Sequence, residues 1–393
     1  MNLDLYRNLV RDTERRYVNV NPIQRGGVLT PEARKALLEF ADGYSVCDFC
    51  EGRLDEVSKP PIDVFHEDLA EFLGMDVVRV TAGARYSKDA VMGALVEEGD
   101  VVVADALAHY TTFVTAERHG ATVREVPHSG YPEYEVDVSA YERVFDEVED
   151  ETGDPPALAV LTHVDSEYGN LADADAFIKL CRKRGVPALL NCAYTMGRMD
   201  LRRELKRRPD FMVGSAHKGM AACAPCGVLA MREEWAEVVL KTSESEGDFS
   251  GRSWPRKEVQ LLGCTVMGAP IVTMMASFPA VVERVKRWRE EVEKTRWFVE
   301  EMERIEGVRQ LGVRPKEHDL VKFETKSFHE VAQRHRRRGY FLYEELKRRG
   351  VVGLQPGQTE TIKVSVYGLD REKVELVIEA FHDIAEEHGI EVS

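Results

Sequence analysis

The chain has 393 residues and is 44% hydrophobic, which is enough to bury a substantial core and to form one large and one smaller domain. Its net charge of −16 argues against a uniformly basic surface for a polyanion, although arginines cluster locally at 202–208 (RRELKRR) and 333–339 (QRHRRRG). No apolar run approaches the roughly 20 residues of a membrane span, the start MNLDLYRNLVRDTERR is too charged for a signal peptide, and seven cysteines are an odd count, so a cytoplasmic protein with metal-binding or catalytic thiols is expected.

Residues 1–60, with turns at NPIQRGG (21–27) and SKPP (58–61), read as an N-terminal arm carrying the pair Cys47-x-x-Cys50. Residues 61–275 alternate apolar runs with amphipathic stretches. DVVRVTAG leads into SKDAVMGALVEEG, DVVVADA into TTFVTAERHG, ATVREVP into SAYERVFDEVED, ALAVLTHV into DADAFIKLCRKRG, and PALLNCAY into DLRRELKRR; DFMVGSAHK is followed by GVLAMRE. Continuous apolar strands separated by helices predict an α/β domain with a mainly parallel sheet covered on both faces, and ligands bind such sheets at the carboxyl ends of the strands. Residues 276–393 begin in a long amphipathic helix and close with TIKVSVYG and a further helix, which reads as a smaller C-terminal α/β domain.

Polar residues fall at successive strand ends. VTAGARYS (80–87) is a strand, a small-residue turn and a helix start, so Gly83, Ala84 and Arg85 offer backbone N–H groups and a positive helix end to a phosphate. His109 closes the next strand, Asp165 and Asn191 end two more, and Ser215 and His217 flank Lys218, whose amine would emerge at the same edge.

This set resembles the fold type I pyridoxal phosphate enzymes, in which such a lysine holds the cofactor as a Schiff base. The order GAR (83–85), His109, HVDSEYG (163–169), NCAY (191–194), SAHK (215–218) is similar to that of cysteine desulfurases. Two departures stand out. Asn191 replaces the aspartate that normally pairs with the pyridine nitrogen, which implies a weaker electron sink suited to expelling a good β-leaving group. Lys363 stands where relatives carry an arginine that clamps a free carboxylate, so an esterified substrate is expected.

The stretches at 19–52, 105–112 (DALAHYTT), 215–222 (SAHKGMAA) and 261–279 (LLGCTVMGAPIVTMMASFP) resemble the archaeal O-phosphoseryl-tRNA:cysteinyl-tRNA synthase family over nearly the whole chain. The resemblance implies a cytoplasmic homodimer that uses pyridoxal phosphate to replace phosphate by sulfur on phosphoseryl-tRNA(Cys), with phosphoseryl-tRNA synthetase as a further partner. It also implies that the essential thiols are Cys47, Cys50 and Cys264, as persulfide carriers or ligands of an iron–sulfur cluster. Cys223 and Cys226, beside Lys218, then have core or site-lining roles, and Cys181 and Cys192 pack in the core. Within this reading Lys218 takes the Cα proton, while Arg25, Arg85 and His109 assist the phosphate as it leaves a dehydroalanyl ester to which a persulfide adds. Two rivals stay open: a cysteine desulfurase or selenocysteine lyase acting on a free amino acid, and a non-enzymatic metal or redox module built on the two C-x-x-C pairs.

Overall fold

A computed structural model describes residues 16–42, 45–46, 60–263 and 266–393. The chain divides into two compact units: Gly26–Glu290 with Gly312–His318, and a smaller unit of Met1–Arg25, Glu291–Leu311 and Asp319–Ser393. Among the described residues no helix is long and apolar enough to cross a membrane.

The larger unit is organised by β1 (Val77–Thr81), β2 (Val101–Asp105), β3 (Thr122–Val126), β4 (Leu158–Thr162), β5 (Ala188–Asn191), β6 (Phe211–Gly214) and β7 (Gly227–Met231). Among the described residues they form one seven-stranded sheet, in the order β1-β7-β6-β5-β4-β2-β3. Only β7 runs against its neighbours. The interior strands β4, β5, β6 and β7 are buried at every position, which is why they read as unbroken apolar runs. Edge strand β3 keeps Arg124 outside, and the other edge, β1, pairs Arg79 with the buried Glu258 at 2.9 Å; charge at both edges deters further strand pairing.

Because the other six strands are parallel, the residues after β1, β2, β4, β5 and β6 share one edge of the sheet. The reversed β7 starts at that edge, so the segment 215–226 is a tight return between β6 and β7. A two-stranded ribbon, Ser45–Val46 against Val266–Met267, also belongs to this unit, with Val46 opposite Val266.

The smaller unit has an antiparallel sheet, β8 (Val308–Leu311), β9 (Leu320–Thr325) and β10 (Thr361–Ser365) in that order, packed against helices that include Phe341–Arg348 and Arg371–Glu387. Its core gathers Phe298, Phe323, Phe328, Phe341 and Phe381. The N-terminal segment is woven into it: Val18–Asn19 pairs in parallel with Val351–Val352, and the buried Arg25 donates from Nε to the Tyr367 carbonyl at 2.9 Å. Lys363 lies half-buried in β10, in register with Lys322 of β9.

Candidate active site

Lys218 sits in the one-turn helix Ala216–Gly219 that follows β6. Its main chain is gripped from two sides. Arg198, fully buried, donates from Nη2 to the Lys218 carbonyl at 3.2 Å, and Arg284 donates to the carbonyls of Gly197, Gly26 and Gly219. Gly26 closes the packing, because a Cβ there would stand 2.4 Å from the Lys218 carbonyl oxygen. The first glycine of the NPIQRGG turn, Gly26, therefore lets two backbones touch. The Lys218 amine lies 4.4 Å from the centre of the Tyr194 ring, contributed by the loop after β5.

Across the edge, the helix Ala84–Leu95 begins at Gly83 with no side-chain cap, leaving its first N–H groups to a ligand. Gly83 has φ +113°, and a Cβ on it would meet nothing within 4 Å, so the turn opens to space. Its far side is tightly backed: a Cβ on Gly227 would stand 2.4 Å from the Gly83 carbonyl carbon. Thr81 and Ser87 brace the turn by a 2.8 Å hydrogen bond, and Ser87 donates to the Val228 carbonyl. Arg85 is exposed on the first turn of this helix.

Lys88, one turn further, is buried at 1% exposure and donates to the hydroxyls of Thr111 at 2.7 Å and Thr112 at 2.9 Å. Thr111 in turn lies 2.9 Å from His109 Nδ1. Burial, with Lys218 and Arg85 nearby, pushes the Lys88 ammonium down to about 7, while Asp105 opposes the shift. Burial and the cations Lys218, Lys88 and Arg85 push His109 down to about 4. Asp105, at the end of β2, accepts from the Thr162 N–H at 2.7 Å, and burial raises its carboxyl to about 6.

Asn191 ends β5 and is buried, with Oδ1 turned to the Ala193 N–H at 3.3 Å. Asp165 is committed to its own loop: its two oxygens accept from the N–H groups of Glu167, Tyr168 and Asn170 at 2.8, 2.6 and 2.8 Å. His163 contacts Thr195 at 3.1 Å, and burial lowers it to about 3. Ser215 is buried, and His217 Nδ1 lies 2.8 Å from the Cys226 carbonyl, with burial the main cause of its lowered pKa.

The structure thus brings Gly83, Ala84, Arg85, His109, Asp165, Asn191, Ser215, His217 and Lys218 to one sheet edge. Arg25 belongs to the smaller unit. Cys47, Cys50 and Cys264 lie outside the described residues. Cys226 is fully buried and its thiol is pushed far up by burial; Cys223 is half-buried in the same return. Cys181 and Cys192 are fully buried, the latter pushed up to about 12. Sequence reasoning missed Lys88, Thr111, Tyr194 and Asp105. The signal available for Lys88 was its spacing, four residues after Ala84 and so on the same helix face.

The charges of Arg85 and Lys218 lower the pKa of Lys88, with Asp105 as its acidic neighbour, and these three cations together lower that of His109. Such a site is built for an anion. An uncapped helix start, an open glycine turn, a strand-end lysine and an amide at Asn191 fit the phosphate, carbonyl and ring nitrogen of pyridoxal phosphate.

The SepSecS family profile, described as O-phosphoseryl-tRNA(Sec) selenium transferase, matches residues 90–386. The O-phospho-L-seryl-tRNA:Cys-tRNA synthase of Methanopyrus kandleri is 80% identical over 393 residues, 100% of both chains. A solved structure titled as a SepCysS–SepCysE N-terminal domain complex is similar with TM-score 0.90 and 51% identity, over 99% of this chain and 100% of that one. A cysteine desulfurase from Thermococcus onnurineus shares the fold at TM-score 0.74 and 17% identity, over 94% of this chain and 95% of that one.

Proposed function

This chain belongs to the O-phospho-L-seryl-tRNA:Cys-tRNA synthase family, and from that premise we propose that it converts phosphoseryl-tRNA(Cys) to cysteinyl-tRNA(Cys) by replacing phosphate with sulfur, with pyridoxal phosphate as cofactor. The observation that carries the reading is the identity of 80% over the full length of the Methanopyrus kandleri enzyme. When bound, the cofactor supplies the electron sink that acidifies the substrate Cα.

Each part of the site has a role in this reaction. The N–H groups of Ala84 and Arg85 and the Arg85 side chain would hold the cofactor phosphate, Lys218 its carbonyl carbon, and Asn191 its ring nitrogen. Asn191 is a neutral partner, which limits stabilisation of a carbanion and favours early loss of a β-leaving group. The Lys218 amine, once released, takes the Cα proton. His109 and Arg85 donate to the departing phosphate. The outer sulfur of a persulfide would then add to Cβ of the dehydroalanyl ester as Cα regains a proton, and a second thiol would open the resulting disulfide, releasing cysteinyl-tRNA and leaving the two enzyme thiols as a disulfide for an external thiol to reduce.

The sulfur nucleophile belongs to Cys47, Cys50 and Cys264, as a persulfide or through an iron–sulfur cluster. Support comes from the ribbon: Val46 directly precedes Cys47, Val266 follows Cys264 by two positions, and these two valines are register partners. Cys226 is a poor carrier by contrast, because a buried thiol with a raised pKa yields little thiolate. A homodimer, and partners that include a SepCysE-type protein and phosphoseryl-tRNA synthetase, complete the proposal.

The two half-reactions test it. Cys47→Ser, Cys50→Ser and Cys264→Ser should each release phosphate from phosphoseryl-tRNA yet form little cysteinyl-tRNA under anaerobic conditions with thiosulfate, whose outer sulfur a thiolate can take as a persulfide with sulfite leaving, whereas Cys226→Ser retains both. Loss of sulfur transfer in Cys226→Ser alone would invert the assignment. Iron and sulfide analysis of anaerobically purified protein separates a persulfide carrier from a cluster.

A further inference from the structure

Lys88 is a buried lysine with no carboxylate hydrogen-bonded to it among the described residues; its two partners are threonine hydroxyls. An ammonium has no lone pair, so each hydroxyl accepts from it. The Thr111 hydroxyl therefore keeps its own proton to give, and His109 Nδ1 lies 2.9 Å away. The Thr111 backbone N–H also points at that nitrogen, at 3.3 Å. A ring nitrogen that accepts two hydrogen bonds carries no proton. The imidazole is thus neutral, with its proton on Nε2, in keeping with the downward shift of its pKa.

Three donors stand in series, Lys88 to Thr111 to His109, and they end in an N–H at the edge where Lys218 emerges. Phosphoserine makes a specific demand of such a site. Elimination breaks the Cβ–O bond and leaves the electron pair on phosphate, so a phosphate-ester dianion would depart as a trianion unless a proton reaches that oxygen.

We infer that Lys88, Thr111 and His109 form a proton wire that supplies this proton, with Lys88 acting through the other two; the inference rests on the function proposed above. As the Cα–H electron pair becomes the Cα=Cβ bond, the proton on Nε2 passes to the leaving oxygen. The Thr111 hydroxyl proton passes to Nδ1, and a Lys88 ammonium proton passes to Thr111 Oγ1. Hydrogen phosphate dianion leaves, His109 stays neutral with its proton on Nδ1, and Lys88 becomes an amine. A proton from water at Nε2 then drives the same shifts in reverse and recharges Lys88. The groups facing Lys88 set its readiness: burial, Lys218 and Arg85 lower its pKa to about 7, and Asp105 restrains the fall, so the ammonium is an adequate acid near neutrality yet gives up its proton.

The test compares leaving groups. Chloride needs no proton, so the holoenzyme is assayed for elimination from phosphoseryl-tRNA and from β-chloroalanyl-tRNA. Lys88→Met should slow phosphate release about 100-fold and chloride release far less. Thr111→Val, nearly isosteric, should give the same pattern. The wild-type rate of phosphate release should fall as pH rises past the Lys88 pKa, and this limb should vanish in Lys88→Met. Independently of turnover, nitrogen NMR of the cofactor-free wild type should show His109 protonated on Nε2, a preference weakened in Thr111→Val, where only the backbone N–H of residue 111 still donates to Nδ1. Equal slowing of both leaving groups, or His109 protonated on Nδ1 in the wild type, overturns the wire. Wild-type enzyme that releases no phosphate from phosphoseryl-tRNA would instead refute the proposed function, while the tautomer measurement still decides whether the hydrogen-bonded series exists.

Discussion

Gly26→Ala should cost both stability and chemistry. A Cβ at this position would lie 2.4 Å from the Lys218 carbonyl oxygen, 2.8 Å from Arg198 Nε and 3.2 Å from Arg198 Cζ. Comfortable contact begins about 1 Å further out, so the segment at 26 or the turn bearing Lys218 must move by about that much. Neither can retreat freely. Gly219 is itself packed so closely that a Cβ on it would stand 1.9 Å from the Met196 carbonyl oxygen, and Arg198 is fully buried. Overpacking of this kind costs about 1–3 kcal/mol, against less than about 1 kcal/mol gained by stiffening the unfolded chain. The net loss should lower the melting temperature by about 1–3 °C, since a chain of this length has a large unfolding entropy. Because the displaced atom belongs to Lys218, a shift of about 1 Å should also slow the reaction about 100-fold. The assays are scanning calorimetry, the rate at which Lys218 captures pyridoxal phosphate followed by absorbance, and single-turnover phosphate release. Wild-type melting together with wild-type turnover would refute the packing argument. A lowered melting temperature with normal capture and turnover would show that Gly26 supports the fold without positioning the lysine.

Lys218→Ala should abolish the absorbance of the lysine-bound cofactor and all turnover; borohydride trapping of the cofactor on another lysine would contradict it. Asn191→Asp places a carboxylate where the ring nitrogen is expected and should deepen the electron sink, raising racemisation and transamination; an unchanged product distribution would count against the weak-sink account. The two basic clusters should behave differently toward tRNA. Arg202, Arg203, Arg207 and Arg208 are each ion-paired with an acid, namely Glu71, Asp200, Asp175 and Asp76. In the second cluster Arg337 pairs with Glu344, but Arg336 and Arg338 have no ion pair among the described residues. Replacing Arg336, Arg337 and Arg338 by glutamine should flatten the log–log salt dependence of phosphoseryl-tRNA binding by up to about 3, and the matching change at 202, 207 and 208 by much less. Equal slopes for wild type and the first variant would return that cluster to a solvated face.

Sequence reasoning reached those parts of the molecule whose signal is local. Interior strands such as LAVLT and GVLAM are buried on both faces, so their apolar runs declare them, and the residues that follow the parallel strands gather at one edge, where the reversed β7 begins. Local pattern failed where a distant side chain intervenes. DLRRELKRR reads as a full helix but holds helical form only over Leu201–Glu204, because the Lys206 and Arg207 N–H groups donate to the Asp175 carboxylate instead of to carbonyls one turn back. Asp165 reads as a ligand residue from its place after β4, yet its oxygens hold the turn 167–170. Lys88 carries no signature beyond its spacing, since its meaning depends on threonines more than 20 positions away that only packing brings near.

The thiols next to Lys218 show the same limit from the opposite side. Their closeness in sequence suggests shared chemistry, but topology accounts for it without any. With β7 reversed, the chain must return from β6 within 12 residues, from 215 to 226, and Cys223 and Cys226 lie in that return. Cys226 faces the Pro270 carbonyl at 3.9 Å in a buried setting, and the Cys223 N–H donates to Thr273 Oγ1 at 3.0 Å, so both residues tie the return to the helix Gly268–Val285. That helix directly follows Val266–Met267, the strand that continues from Cys264. A shift of the return would therefore be transmitted along one continuous backbone from the lysine turn toward the helix Gly268–Val285, which accounts for the nearer pair as supports of the return and is consistent with the chemical role proposed above for the more distant trio.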